Sequence, residues 1–218
     1  MPGSMGRAGR QPVIGSAPGR LELVRAFVNT LDIEAGTDEL SSPSVLAAWL
    51  AGRGLAGRGL AGRGQGGRRQ AGHATGDDLR RAVALREALR EILQAHVGGT
   101  RPPPAAVADL QSLSADLPVR LEVGADGAVA PAPGGAGATA GLAGLLLVVA
   151  EAAALGTWSR LKVCSADDCR WAFYDRSPTR SGCWCSMAVC GSRAKSRAYR
   201  RRAAGRLPGL PWTNAARD

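Results

Sequence analysis

All five cysteines of this 218-residue chain lie between Cys164 and Cys190. Four residues separate Cys164 from Cys169, four separate Cys185 from Cys190, and fifteen join the two pairs. Two short chelating pairs on such a linker have the spacing of a structural four-cysteine zinc site. Each pair closes a small loop, so its two thiolates reach one ion at little extra entropic cost. Two pairs complete a tetrahedron and leave no open position, so the metal would hold the fold and not activate water. Zn2+ is therefore the expected cofactor, with Cys164, Cys169, Cys185 and Cys190 as ligands. Such sites contribute on the order of 10–16 kcal/mol near neutral pH, and a module of roughly 40 residues cannot bury enough core to fold without help of this kind.

Cys183 is left over, only two positions before Cys185. It reads either as a resolving thiol that displaces zinc on oxidation or as a spare surface thiol, which is the commoner case. The two histidines, His73 and His96, have no catalytic companions; His96, near a helix end, reads as a surface residue. No Ser/His/Asp set, phosphate-binding loop or dinucleotide fingerprint occurs, so the chain is not expected to be an enzyme.

Positive charge follows the cysteines. Twelve basic and three acidic residues between Arg160 and Arg206 give +9 of the chain's net +10. After Cys190 the segment GSRAKSRAYRRR favours helix. Arg193, Arg197, Arg200 and Arg201 fall near one face; Lys195, Tyr199 and Arg202 fall on another. A helix launched from a metal ligand and carrying Arg193, Lys195, Arg197, Arg200, Arg201 and Arg202 suits phosphate contacts, and DNA is the expected partner. Arg193 and Arg197, in the first turns, are best placed for base edges. RNA or an acidic protein is the alternative partner, and a plain solvated helix is the bland reading. Trp171, Phe173 and Trp184 are expected to form a small apolar core around the metal, although stacking on bases would use the same residue types.

The elements that must carry this module are mostly helical. LELVRAFVNTLDI (21–33) spaces Leu23, Phe27, Val28 and Leu31 as one helical face. Ser42 and Pro43 open a second helix with Val45, Leu46, Trp49 and Leu50 as its buried stripe. Residues 75–97 form the clearest helix, opened by a capping box of Thr75 and Asp78, with Arg86, Glu87, Arg90 and Glu91 on its wet side. Residues 101–117 form a helix opened by prolines, and Val119, Leu121 and Val123 alternate into a hairpin that turns at Ala125–Gly127. The apolar stretch 138–155 falls short of the roughly 20 residues of a membrane span and reads as a buried helix. No export signal is visible, so a cytoplasmic, reducing compartment is expected, with no membrane partner.

The fold class is α+β. A mostly helical N-terminal domain with one hairpin spans 20–157, and a small four-cysteine zinc module followed by a basic helix spans 158–205. Residues 1–19 read as a disordered lead-in and 206–218 as a flexible tail. The Gly/Arg repeat at 51–70 reads as a loop expansion in preference to a nucleic-acid-binding tail. The helices of the N-terminal part are expected to form their own core and to stay folded when zinc is removed. No small-molecule ligand of that part is identified.

The module resembles the CGNR zinc finger of bacterial proteins. Phe173, Asp175 and Ser177 match its Phe-x-Asp-x-Ser segment, and Trp184, Cys185, Ser186 and Met187 its Trp-Cys-Ser-Met segment. Cys190, Gly191 and Arg193 match the name-giving motif, with Ser192 in place of Asn, and Gly182 and Cys183 stand where the family tends to have basic residues. Upstream, residues 26–55, the 75–97 helix and the hairpin at 119–130 resemble the ABATE domain that precedes this finger. The resemblance implies a regulator of transcription induced by stress, with zinc as cofactor.

Overall fold

The computed structural model describes residues 16–55 and 73–204. The lead-in over 1–15, the bulk of the Gly/Arg repeat over 56–72 and the tail from 205 lie outside the described residues.

Helix α1 runs Leu21–Val28 and buries Leu21, Val24, Phe27 and Val28. It is shorter than the apolar spacing implied. Asn29 ends it, and Leu31–Asp32 (β1) pairs antiparallel with Thr37–Asp38 (β2). Leu31 thus belongs to a tight hairpin, not to the helical stripe. Helix α2, Pro43–Gly52, starts as expected: the Ser42 hydroxyl accepts from the Val45 N–H at 3.3 Å and Pro43 occupies the first turn. Leu46, Ala47, Trp49 and Leu50 are its buried residues, while Val45 is exposed.

Helix α3, Gly76–Gly98, carries the predicted capping box of Thr75 and Asp78. Its Arg86 and Arg90 are not on the wet side: they are 2 % and 0 % exposed. Their guanidiniums lie inside because acceptors meet them there. Arg86 donates to both carboxylate oxygens of Asp38 (2.7 and 2.9 Å) and to the Thr30 hydroxyl (3.1 Å). A buried charge is tolerable only when paired and hydrogen-bonded in this way.

Helix α4 is Pro104–Ala115, and the predicted hairpin is β3 (Val119–Val123) with β4 (Val129–Pro133). Helix α5, Gly137–Ala154, is long and apolar enough by length and composition to cross a membrane, but half of it is buried against the rest of the chain. It packs with α1 and α2, and Leu142, Leu145 and Val148 lie inside. A 3-10 turn, Trp158–Arg160, leads into β5 (Leu161–Val163), which pairs antiparallel with β6 (Ala172–Tyr174). The last helix, α6, is Ser192–Ala204. The chain is α+β, with six helices and three two-stranded ladders among the described residues.

One apolar core joins α1, α2, α3 and α5 with Leu161, Val163 and Ala172 of the β5–β6 ladder. A second, smaller cluster holds Cys164, Cys169, Cys185, Cys190, Ala166 and Phe173, with Trp171 and Trp184 against it. Alternation along the strands explains the division. Leu161, Val163 and Ala172 point into the main core, while Lys162 and Phe173, which are cross-strand partners, point to the cysteine side. The small ladder is thus a wall with the helical core on one side and the cysteine cluster on the other.

Candidate metal centre

Cys164 follows β5, and Cys169 closes the turn after it. The Cys169 and Arg170 N–H groups both donate to the Ala166 carbonyl, at 2.9 and 3.0 Å, which curls the chain back on Cys164. The Cys164 N–H donates to the Trp171 carbonyl at 2.9 Å, and the Ser165 N–H donates to the Cys183 carbonyl at 2.9 Å. That last bond draws the second cysteine pair to the first. Cys185 and Cys190 flank a single wide π-type turn, Met187–Gly191, that runs directly into α6. The Ser186 hydroxyl accepts from the Val189 N–H at 3.3 Å and so opens this turn. At its end the Ser192 hydroxyl donates to the Met187 carbonyl at 3.1 Å. Ser192, the departure from the family's Asn, therefore has a local backbone partner.

The four sulfurs lie within 4.8 Å of one another and all four cysteines are buried. Cys169 Sγ is 3.6 Å from Cys185 Sγ, and Cys185 Sγ is 3.7 Å from Cys190 Sγ. These are far too long for disulfides, whose sulfurs sit about 2.05 Å apart. They match a tetrahedron: zinc at about 2.3 Å from each sulfur sets the sulfurs about 3.8 Å apart. The electrostatics agree. Hydrogen bonds from Cys169 and Cys185 hold the Cys164 thiol far below its usual range, and the same contacts push Cys169 and Cys185 up. Burial, then the Cys164 charge, pushes Cys190 up. Negative charge on one sulfur thus comes at the expense of the others unless a cation among them stabilises all four as thiolates. The donor set fits a metal ion of the thiolate-preferring kind. Cys183, half-buried, lies outside the four-sulfur group.

Two glycines are closely approached at this site, Gly182 by a buried carboxylate and Gly191 by the mobile end of the exposed Met187. A Cβ on Gly191 would come within 2.8 Å of Met187 Sδ and 3.3 Å of Trp184. A Cβ on Gly182 would come within 2.9 Å of the Asp175 carboxylate. Gly182 stands where the resemblance implies a basic residue, and in this chain a side chain there would run into the Asp175 carboxylate. Asp175 is the organiser of the linker between the cysteine pairs. It accepts from Lys162 Nζ at 2.8 Å, the Ser177 N–H at 2.9 Å and the Gly182 N–H at 2.8 Å. Lys162 also donates to the carbonyls of Arg180 (2.5 Å) and Gly182 (3.2 Å). Lys162 and Asp175 are 1 % and 4 % exposed. Burial acts to raise the Asp175 carboxyl, but the hydrogen bonds from Lys162, Ser177 and Gly182 outweigh it and hold it well below the usual carboxylate range.

The cysteine side is latched to the helical core by polar contacts that sequence reading missed. Asn29 embraces the Ala172 backbone, donating to its carbonyl at 2.9 Å and accepting from its N–H at 2.7 Å. Arg90 donates to the Val28 carbonyl at 2.6 Å and the Arg170 carbonyl at 2.9 Å. Arg170, next to Cys169, has φ of +48°, and its side chain pairs with Glu91 at 2.6 Å. His96 is half-buried and partnered, where the sequence implies a free surface residue. Its Nδ1 lies 2.9 Å from the Leu161 carbonyl and its ring stands edge-on to Trp158 at 5.3 Å. Burial pushes its pKa down.

The basic helix leaves this assembly with most of its cations in solvent. Arg193 pairs with Glu34 at 2.7 Å, and Arg197 lies 3.6 Å from Asp168. Among the described residues Lys195, Arg200, Arg201 and Arg202 have no ion pair, and all four are exposed. Val189, Ser192, Arg193, Ser196, Arg197 and Arg200 line most of a shallow groove of about 570 Å³ along one side of the helix.

Residues 160–203 match the family model of the CGNR zinc finger. Residues 21–157 match the ABATE model, described as "Putative stress-induced transcription regulator". No curated protein matches the chain. With well over half of its length matched, the chain belongs to the ABATE family and carries a CGNR zinc finger behind the ABATE domain.

Proposed function

We propose that the chain is a zinc-dependent DNA-binding regulator of transcription in bacteria, working in the cytoplasm and without enzymatic activity. The observation that carries this reading is the direct continuity of the four-cysteine cluster with α6: Cys190 is followed at once by a helix bearing six cations. Zinc held by Cys164, Cys169, Cys185 and Cys190 fixes where that helix starts. A helix anchored at its first turn meets a polyanion with little ordering cost. Lys195, Arg200, Arg201 and Arg202 then meet phosphates without giving up a protein partner. Arg193 and Arg197 exchange Glu34 and Asp168 for nucleic acid. Exposed pairs of this kind are worth about 0–1 kcal/mol, so the exchange is easy.

Crosslinking of the tagged full-length chain in living cells, with DNA and RNA sequenced in parallel, tests the assignment. Enrichment at discrete genomic DNA sites that disappears in Cys185→Ser supports it. Enrichment of RNA, or of protein without either nucleic acid, overturns it in favour of an RNA-binding or docking module.

A further inference from the structure

The β3–β4 hairpin presents its apolar side outward. Val119, Leu121 and Val123 are 52 %, 70 % and 70 % exposed, and Val129 is 60 % exposed. The opposite side carries Arg120 and Glu122 on β3 and the buried Ala132, through which β4 packs on α5. Ordinary antiparallel sheets on a core show the reverse arrangement. The hairpin also has two unlike edges. The Gly134 N–H donates to Pro118 and the Gly124 N–H to Ala128, at 2.7 and 2.8 Å. Alternation along the ladder then makes Arg120–Ala132 and Glu122–Ala130 the hydrogen-bonded pairs. The backbone N–H and C=O groups of Val119, Leu121 and Val123 therefore point away from β4, along the outer edge of β3. On the outer edge of β4 the corresponding positions are Val129, Pro131 and Pro133, and the two prolines have no N–H to donate.

We propose that β3 is a homodimerisation edge and that its occupant is β3 of a second copy of this chain, antiparallel and centred on Leu121. In that register Leu121 stands beside Leu121 of the second copy and exchanges both backbone hydrogen bonds with it. Val119 stands beside Val123 of the second copy, so the exposed apolar side chains gain neighbours on their open flank. On the other side of the sheet Arg120 stands opposite Glu122 of the second copy, twice, by the two-fold symmetry. The strand VRLEV is thus self-complementary in backbone, apolar contact and charge in one register. Shifting it by two residues sets Glu122 against Glu122, or Arg120 against Arg120, of the second copy and loses both charge pairs. The proline edge of β4 prevents further addition, so association closes at two and does not grow into a fibre. A five-residue edge buries less than the roughly 1,200 Å² of a standard interface, so the dimer belongs to the weak, reversible class. This inference does not rest on DNA binding.

Sedimentation equilibrium of the zinc-loaded full chain across the micromolar range tests it. Reversible monomer–dimer behaviour is expected. Leu121→Lys, at an exposed position, sets two ammonium groups beside each other at the axis and weakens association at least about tenfold. Glu122→Arg and Arg120→Glu each weaken self-association by about tenfold, because like charges then face each other. Mixing those two variants restores a heterodimer within about threefold of the wild-type affinity. A change in the intrachain Arg120–Glu122 contact alone has no such mixing effect. A chain that stays monomeric throughout, a dimer insensitive to Leu121→Lys, or two charge variants that fail to associate on mixing would each overturn the proposal.

Discussion

Replacing Lys162 by Met isolates what the buried ion pair contributes to the metal centre. The substitution keeps the length of the aliphatic stem but removes the ammonium. The Asp175 carboxylate, in a residue 4 % exposed, is left with its charge and without its ion-pair partner, and the carbonyls of Arg180 and Gly182 lose their donor. Removing one partner of a buried pair costs about 3–5 kcal/mol. The Asp175–Gly182 contact positions the chain that leads into Cys185, so this cost falls on the metal-bound fold more than on the metal-free one. If all of it appears there, zinc affinity drops by about two to three and a half orders of magnitude. Competition against a chromophoric chelator measures it directly. The pH dependence has a defined sign. Asp175 is depressed in the fold, so its stabilisation is present above the ordinary carboxylate pKa of about 3.9 and is lost as pH falls through the folded value. In Lys162→Met the main cause of that depression is gone, and the acid loss moves to higher pH. A Lys162→Met protein that binds zinc within tenfold of wild type, with an unshifted acid limb, would refute the reasoning.

Zinc content measured by mass spectrometry should be one ion per chain; Ser at Cys164, Cys169, Cys185 or Cys190 should abolish it, whereas Cys183→Ser should retain it, since Cys183 lies outside the four-sulfur group. Zinc binding should release protons, and affinity should fall as pH drops, because thiols of ordinary pKa about 8.5 must give up protons to the metal. Gly182→Ala should destabilise the zinc-bound module by about 1–3 kcal/mol in denaturant titrations, the usual range for overpacking, because its Cβ meets the Asp175 carboxylate at 2.9 Å. In hydrogen exchange, chelation should expose 164–192 while α1, α3 and α5 stay protected, and Asn29→Ala should spread the exposure to β5 and β6 by removing both bonds to Ala172.

Much of the site was legible because its chemistry is local in sequence. The paired cysteine spacing marks the ligands, and the structure brings those four sulfurs together. Ser42 and Thr75 were readable as caps because a cap involves residues three apart. What escaped depends on partners distant in the chain. Arg86 and Arg90 fall on a helical face that charge alone calls wet; they are buried because Asp38, Val28 and Arg170 supply acceptors 48, 62 and 80 residues away. His96 was misplaced for the same reason, since its partner is Leu161. The sequence carries α1 past its C-terminal end because Leu31 keeps the helical spacing, whereas Asp32 and Gly36 favour the tight β1–β2 turn. Gly182 and Gly191 are ordinary letters until Asp175 and Met187 are seen beside them. The strand LKV carries no signal for the buried Lys162–Asp175 pair, because a lysine alternating with two core residues reads as the solvent side of a half-buried strand.

Binding of a labelled duplex by the zinc-loaded full chain, titrated at several salt concentrations, tests most directly whether the metal centre presents a nucleic-acid-binding helix. With six phosphate contacts from Arg193, Lys195, Arg197, Arg200, Arg201 and Arg202, affinity should fall about a thousandfold between about 50 and 200 mM salt. Neutralising Arg200, Arg201 and Arg202 together should flatten the log–log slope by about 3, and stripping zinc should remove the binding. Changing Arg193 or Arg197 should instead erode discrimination between sites, by about 1–3 kcal/mol where the contact is bidentate to guanine. No measurable affinity for duplex at the lowest salt, or binding that survives both zinc removal and loss of the three arginines, would contradict the account.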